Sequence, residues 1–259
     1  MFSLDEMCAA SEGTSESSTL SRILTYIYDR DVFCGFFGCG EKFAGYVSEK
    51  HETRERIWQL SRMPILAEHV VPETGQRRIV DVYFSLITIQ YEINQYSQSS
   101  GRLPGKWLEM KRKLDKIKEE HSWLFILSQQ SAPSPPLMAL VTVTILHALQ
   151  IYLHRSRESA FGETPVPPEV ATSLRELVEV AYHTIAMGPV QLLERFQWAL
   201  LIAGIETRDP IHRDWISASI SDPVIKSVYD HVLAVKGTSD TVSMEAVRDL
   251  ISRKPQNTE

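Results

Sequence analysis

Two histidines on one apolar stretch are the first residues whose types and spacing could support chemistry. Residues 137–154 are mostly apolar, and His147 and His154 are seven positions apart, which is about two turns of an α-helix. A helical wheel places both opposite the apolar arc, together with Thr144 and Gln150. The pattern predicts a semi-exposed polar face. A polar lining of a ligand pocket is the alternative, whereas a metal pair lacks an acidic or cysteine partner close in the sequence.

Two of the three cysteines also lie close together in the sequence. Cys34 and Cys39 are five positions apart, and no third or fourth ligand stands near them. A metal site is therefore not favoured, and two small buried hydrophobic side chains are the better interpretation. Three cysteines rule out a disulfide scaffold and suit a reducing compartment, so we expect an intracellular protein of the nucleus or the cytoplasm.

The common catalytic motifs are missing from the sequence. It contains no G-x-S-x-G, no G-x-x-x-x-G-K-[ST], no H-E-x-x-H and no EF-hand pattern. Gly35, Gly38 and Gly40 lack the strand–turn–helix setting and the spacing of a dinucleotide-binding loop. We therefore predict neither a cofactor nor a metal ion. Four aromatic or imidazole side chains are candidates to line an apolar pocket between helices: Tyr91, His147, Tyr182 and Trp198.

The elements that must position these side chains are predicted to be helices throughout. Apolar residues recur at helical spacing along almost the whole chain, and only 12 of the 259 residues are glycine. Proline-rich stretches at 131–136 and 161–168 interrupt the pattern. We predict an all-α fold of about ten helices, which forms one irregular helical domain at 19–253 with an internal apolar pocket. Residues 1–18 are expected to be flexible, and residues 254–259 to be frayed.

Charge and hydropathy narrow the class of protein. With 27 basic and 33 acidic residues the net charge is −6, which argues against non-specific nucleic-acid binding. The charged residues of 104–121 predict an exposed helix with i,i+4 ion pairs. The N-terminus lacks the basic start and apolar core of a signal peptide. The longest apolar stretch, 137–153, carries Thr, His and Gln side chains, so we predict a core helix and no membrane span.

One block near the C-terminus goes beyond a hydrophobic pattern. Residues 196–216 are FQWALLIAGIETRDPIHRDWI. They resemble the signature of the regulatory domain of fungal zinc-cluster transcription factors, which is W-P-L-x-x-A-G-x-E, then D-P, then x-x-R-x-W/L. Weaker matches at 26–37 and 138–155 extend the resemblance to about residues 19–236. Ala199 stands where the family has proline. The matching positions are Trp198, Leu200, Ala203, Gly204, Glu206, Asp209, Pro210, Arg213 and Trp215.

The residue types in this block favour structural roles over a site. Ala203 and Gly204 allow another helix to pack closely. Asp209 is expected to cap the helix that follows it. Glu206 is expected to pair with Arg213 across the turn, so that replacing Arg213 by alanine would unfold or aggregate the protein.

The resemblance implies an all-α regulatory domain with a cavity for a small apolar effector. The DNA-binding module of the family is a six-cysteine zinc cluster followed by a basic linker, and this chain has three cysteines and no such linker. The resemblance therefore implies no direct nucleic-acid binding by this chain. We expect a stand-alone protein that derives from the family or belongs to it.

Three functions remain open at the level of the sequence. The favoured one is a regulatory or sensor module that binds a hydrophobic small molecule or a partner protein. The alternative is a cofactor-independent enzyme of secondary metabolism, a cyclase, isomerase or pericyclase, that orients a polyene or polyketide and excludes water. The third is a dimerisation or scaffold domain, which would form a homodimer.

Overall fold

The computed structural model describes residues 15–61, 74–130, 134–157, 159–187 and 194–252. These residues form twelve α-helices and no β-strand, which confirms the all-α prediction and is close to the predicted number of helices. Most of the segment predicted to be flexible and all of the predicted frayed tail lie outside the described residues. The helices are α1 (Ser15–Phe36), α2 (Lys42–Glu49), α3 (His51–Ser61), α4 (Thr74–Gln98), α5 (Pro104–Glu120), α6 (Ser122–Ser128), α7 (Leu137–Arg155), α8 (Pro168–Met187), α9 (Glu194–Glu206), α10 (Pro210–Ser219), α11 (Pro223–Ser239) and α12 (Met244–Ser252).

Two compact units make up the chain, residues 1–78 and residues 79–259. In the first unit α1 packs against α2 and α3. The Asp31 carboxylate near the end of α1 accepts hydrogen bonds from the backbone N–H groups of Glu41 and Ala44, each at 2.8 Å. These N–H groups lie at the start of α2 and lack partners within the helix, so Asp31 fixes the corner between α1 and α2.

The two neighbouring cysteines lie at this corner. Cys39 is exposed and Cys34 is half-buried, so the prediction of two buried hydrophobic side chains is wrong. The cause is the local backbone, because Gly38 and Gly40 adopt positive φ angles of 78° and 80° and end the helix before Cys39.

α7 is the central helix of the second unit, which includes both sides of the proline-rich stretch at 131–136. It contacts α5, α6, α8 and α9, and nearly all of its side chains are buried. Among the described residues it is the one helix that is long and apolar enough to cross a membrane. Most of it is buried inside the protein, which is the environment of the predicted core helix.

Prolines begin several of the helices of the second unit, because proline fits the first turn and leaves no unpaired N–H there. α10 begins at Pro210, and the Asp209 side chain accepts from the N–H groups of Ile211 and His212, which is the predicted cap. Asp222 caps α11 in the same way. On α5 the predicted i,i+4 ion pairs are present, for example between Lys116 Nζ and Glu120 Oε1 at 3.6 Å.

Candidate functional site

A cleft of about 410 Å³ opens between α5, α7 and α8 in the second unit. Its volume falls in the range of small-molecule sites in proteins, which is roughly 300–1,000 Å³. All three helices lie in the same compact unit, so the cleft is a property of that unit alone. We call it the α5–α7–α8 cleft.

Apolar side chains form one part of this cleft. Leu114, Leu153 and Val170 line it from the three helices, and each is almost completely buried. The Trp107 ring lies beside them, and its Nε1–H donates to the Leu153 carbonyl oxygen at 3.1 Å. This hydrogen bond holds the indole in place, so the apolar wall is preformed.

Charged side chains line the other part, and they are paired with one another. Lys111 Nζ lies 3.1 Å from Asp115 Oδ2 and 3.4 Å from Glu169 Oε2, and all three residues line the cleft. Burial lowers the pKa of Lys111, but the hydrogen bonds and charges of its two carboxylate partners raise it more, so that its pKa is above the ordinary value. Lys118 also lines the cleft, and its Nζ lies 3.5 Å from Glu176 Oε2. Of these groups, two lysines and two carboxylates line the cleft itself, so its lining has no excess charge of either sign.

A chain of polar side chains leads from the cleft to a buried histidine. Ser173 Oγ donates to Gln150 Oε1 at 3.0 Å, and both residues line the cleft. His147 Nδ1 lies 3.1 Å from the same Gln150 oxygen, and His147 Nε2 lies 3.1 Å from Glu176 Oε2. Burial lowers the pKa of His147 to about 4, although the charge of Glu176 raises it, so the ring is neutral at pH 7.

A neutral imidazole has one N–H, and here two oxygen atoms face its two nitrogens. The neutral ring can therefore donate to only one of these two oxygens, and which nitrogen carries the hydrogen depends on the tautomer. His147 thus ties the back of the cleft to α8.

The polar face predicted for α7 is only partly exposed. His147 is 1 % exposed, so the prediction of a semi-exposed face is wrong at this position. The reason is that α8 packs over this side of α7 and supplies Glu176 as a partner. Gln150 and His154 from the same face do line the cleft. Burial, followed by the charge of Arg155, lowers the pKa of His154 below its ordinary value.

The four side chains predicted to line a pocket lie at separate places. His147 is behind the cleft, and Tyr91 is half-buried on α4. Tyr182 is 62 % exposed on α8, with its ring centre 6.1 Å from that of Trp215. Trp198 is fully buried on α9 and packs edge-on against another core ring. None of the four is among the residues that line the α5–α7–α8 cleft, so their assignment to a pocket stays a prediction.

Glu206 forms a buried ion pair, but the predicted partner is wrong. Its carboxylate receives two hydrogen bonds from Arg155, Nε to Oε2 at 3.0 Å and Nη2 to Oε1 at 2.6 Å. The Gly162 backbone N–H donates to Oε2 at 3.2 Å. Arg213 instead donates its Nε–H to the Thr207 carbonyl oxygen at 3.1 Å. The sequence signal that could have identified the pair is the basic residue that ends the apolar helix α7.

Close packing is observed where Ala203 and Gly204 predict it. Ala203 is fully buried on α9. A Cβ atom on Gly204 would lie 2.4 Å from Tyr229 Cε2 and 3.0 Å from Ile216 Cγ2, which is too close for any side chain. α10 and α11 therefore approach α9 at the one position where it has no side chain.

The described residues therefore form an all-α fold with a cleft whose volume lies in the range of small-molecule sites. The family described as fungal specific transcription factor domain matches residues 76–235, which is more than half of the chain and includes the α5–α7–α8 cleft. The chain belongs to this family. No curated protein matches it, and no solved structure does.

Proposed function

We propose that the chain is a regulatory domain that binds an uncharged, mainly apolar small molecule in the α5–α7–α8 cleft. The observation that carries the proposal is the cleft itself, with a volume of about 410 Å³ and a preformed apolar wall. Membership of the transcription factor family supports a regulatory role, in the nucleus or the cytoplasm.

The pairing of the charges indicates which ligands the cleft favours. A charged ligand would have to compete with contacts that already exist, such as those of Lys111 with Asp115 and Glu169. An uncharged ligand leaves these pairs intact and gains from burial on Leu114 and Leu153. The hydroxyl and amide groups beside the apolar wall supply one or two hydrogen bonds that orient it.

Binding at this place would stabilise the core of the second unit, because the cleft is lined by three helices that meet at α7. A ligand present at a hundred times its Kd stabilises a folded protein by about 2.7 kcal/mol. For a unit of this size we expect the Tm to rise by about 5–11 °C.

Two matched substitutions on α8 test the proposal. Thr172 lines the cleft, whereas the adjacent Ala171 is exposed and does not line it. Thr172→Trp should fill the cleft, and Ala171→Trp adds the same side chain outside it. The probe is Nile red, an uncharged apolar dye, and the anionic dye 8-anilinonaphthalene-1-sulfonate serves for comparison.

We expect saturable Nile red fluorescence with the unchanged protein and with Ala171→Trp. The anionic dye should bind these two proteins more weakly than Nile red does. Thr172→Trp should lose Nile red binding. Native mass spectrometry then shows whether a compound co-purifies with the same two proteins that bind the dye. Equal dye binding by Thr172→Trp and Ala171→Trp would contradict the proposal. A mass that rises with concentration, together with no ligand effect on Tm, would instead favour the dimerisation or scaffold hypothesis.

The cofactor-independent enzyme is the second candidate, and His154 is the observation that favours it. This imidazole lines the cleft, and burial lowers its pKa, so that it is a neutral base at pH 7. Cyclisation, isomerisation and intramolecular cycloaddition all conserve mass. We therefore expect an enzyme to release a compound of unchanged mass and altered chromatographic retention, and His154→Gln to slow that change without preventing binding. A compound recovered unchanged from both proteins would support binding alone.

A further inference from the structure

The end of α1 brings two cysteines into contact through a recognisable turn. The Gly38 N–H donates to the Gly35 carbonyl oxygen at 3.0 Å, and the Cys39 N–H donates to the Cys34 carbonyl oxygen at 3.2 Å. Gly38 is in the left-handed region, with a φ of 78°. These two hydrogen bonds and this conformation define a Schellman motif. In that motif the side chains of the first and last residues commonly touch, and here both are cysteines.

The contacts of the two thiols agree with this geometry. Cys39 Sγ lies 3.4 Å from the Cys34 carbonyl oxygen, and the Cys34 thiol is close enough to raise the pKa of the Cys39 thiol. Cys39 is exposed and Cys34 is half-buried, so Cys39 is the more accessible of the two to solvent. This order of exposure lets a small molecule reach Cys39 first.

The following residues hold the turn in place. Gly40 has a φ of 80°, and a Cβ atom there would lie 3.0 Å from the Cys34 Cβ and 2.8 Å from Asp31 Oδ1. The Asp31 carboxylate anchors the next residues through the N–H of Glu41 at 2.8 Å. The chain is therefore fixed on both sides of Cys39, and the approach of the two sulfurs does not depend on a mobile loop.

We propose that Cys34 and Cys39 form a reversible disulfide by exchange with a small-molecule disulfide such as glutathione disulfide. The Cys39 thiolate attacks one sulfur of glutathione disulfide and releases one glutathione thiolate. The Cys34 thiolate then attacks the Cys39 sulfur of the mixed disulfide and releases the second. Two protein thiols are oxidised, one glutathione disulfide is reduced to two glutathiones, and the two protons lost by the cysteines pass to the released thiolates.

The electrostatic surroundings of the Cys39 thiol determine the expected rate of disulfide exchange. Burial, followed by the neighbouring Cys34, raises the pKa of the Cys39 thiol, and the carboxylates of Asp31 and Glu41 act in the same direction. Since the thiolate is the attacking species, we expect slow exchange near pH 7 and a rate that rises with pH. The extent of disulfide formation should therefore reflect the ratio of glutathione to glutathione disulfide over long periods, and brief exposure to an oxidant should form little disulfide.

The positions of the lysine and arginine residues allow the disulfide to be detected directly in a tryptic digest. Trypsin cleaves after Arg30 and Lys42, so residues 31–42 form one peptide that carries both cysteines, whereas Cys8 lies on the peptide 1–22. The folded full-length protein is equilibrated in glutathione buffers of increasing disulfide content. It is then quenched with acid, alkylated, digested and analysed by mass spectrometry.

We expect an unalkylated peptide 31–42 that is two hydrogens lighter than the dithiol, and its return to the doubly alkylated form after dithiothreitol. The ratio of disulfide to dithiol should be at least tenfold higher in the folded protein than in the chain unfolded in urea in the same glutathione buffer. Cys39→Ser should take up glutathione at most singly and form no internal bond. A peptide that stays doubly alkylated, that carries glutathione without an internal bond, or that oxidises equally in urea would overturn the proposal.

Discussion

Replacing Glu206 by glutamine is expected to destabilise the second unit strongly. The Glu206 side chain is 0 % exposed, and that of its partner Arg155 is 2 % exposed. Glutamine keeps the shape of the side chain but removes its negative charge, so the guanidinium stays buried without a counter-charge. Breaking a buried ion pair from one side costs about 3–5 kcal/mol.

A neighbouring lysine contributes to the expected loss. Lys236 is 3 % exposed, and its Nζ donates to the Ile205 carbonyl oxygen at 2.7 Å. Burial lowers the pKa of Lys236 to about 8, while the charge of Glu206 raises it. Without that charge two buried cations lose compensation, and we expect a loss of about 4 kcal/mol. In a unit of this size this corresponds to a decrease in Tm of about 8–16 °C.

Urea unfolding at pH 7, followed by circular dichroism, measures the change in the free energy of unfolding. Glu119→Gln on the exposed side of α5 is the matched control, and we expect it to change stability by less than about 0.5 kcal/mol. Arg213→Ala should cost about 1.5–3 kcal/mol, because Arg213 gives up one charged hydrogen bond to a carbonyl. A Glu206→Gln loss no larger than that of Glu119→Gln would refute the role of the ion pair.

Three further outcomes follow from other contacts. His147 is protonated near pH 6.5 in the unfolded chain but only near pH 4 in the folded chain. The free energy of unfolding should therefore fall by up to about 3 kcal/mol as the pH decreases from 7 to 4. His147→Gln should flatten this part of a pH–stability curve, and His212→Gln should not. Gly204→Ala should cost about 1–3 kcal/mol in urea unfolding because of the 2.4 Å contact, whereas Gly237→Ala, with open space around it, should be neutral or stabilising. Asp222→Ala should lose about 1 kcal/mol in the same assay, since Asp222 caps α11; unchanged stability would contradict the cap.

The helices could be predicted from the sequence because their signals are local. Asp209 and Pro210 are adjacent to the helix that they begin, and the structure shows the cap at that position. The core helix α7 was equally visible, since almost every residue between 137 and 153 is apolar or small. Signals of this kind involve one turn of backbone or the periodicity of one helix, and both are visible in a single continuous stretch of the sequence.

The partners of buried polar groups could not be predicted in the same way. Arg155 and Glu206 are 51 residues apart, and the nearer Arg213 offered a simpler pair. The wheel of α7 showed where His147 points but not that α8 would bring Glu176 there. The contribution of α5 to the cleft was not predicted for a related reason, because the charged residues of α5 predict an exposed face whether or not an apolar wall lies beside them.

We infer that the Arg155–Glu206 pair also fixes the register in which α7 packs against α9. Both helices are largely apolar on every side, so their apolar side chains distinguish the native register from one shifted by a turn, about 5.4 Å, less sharply than a directional ion pair does. Such a shift would separate the guanidinium from the carboxylate and leave two charges buried without partners. The pair therefore penalises the neighbouring arrangements of these helices more than it stabilises the native one, and it selects a single packing for the core that supports the α5–α7–α8 cleft.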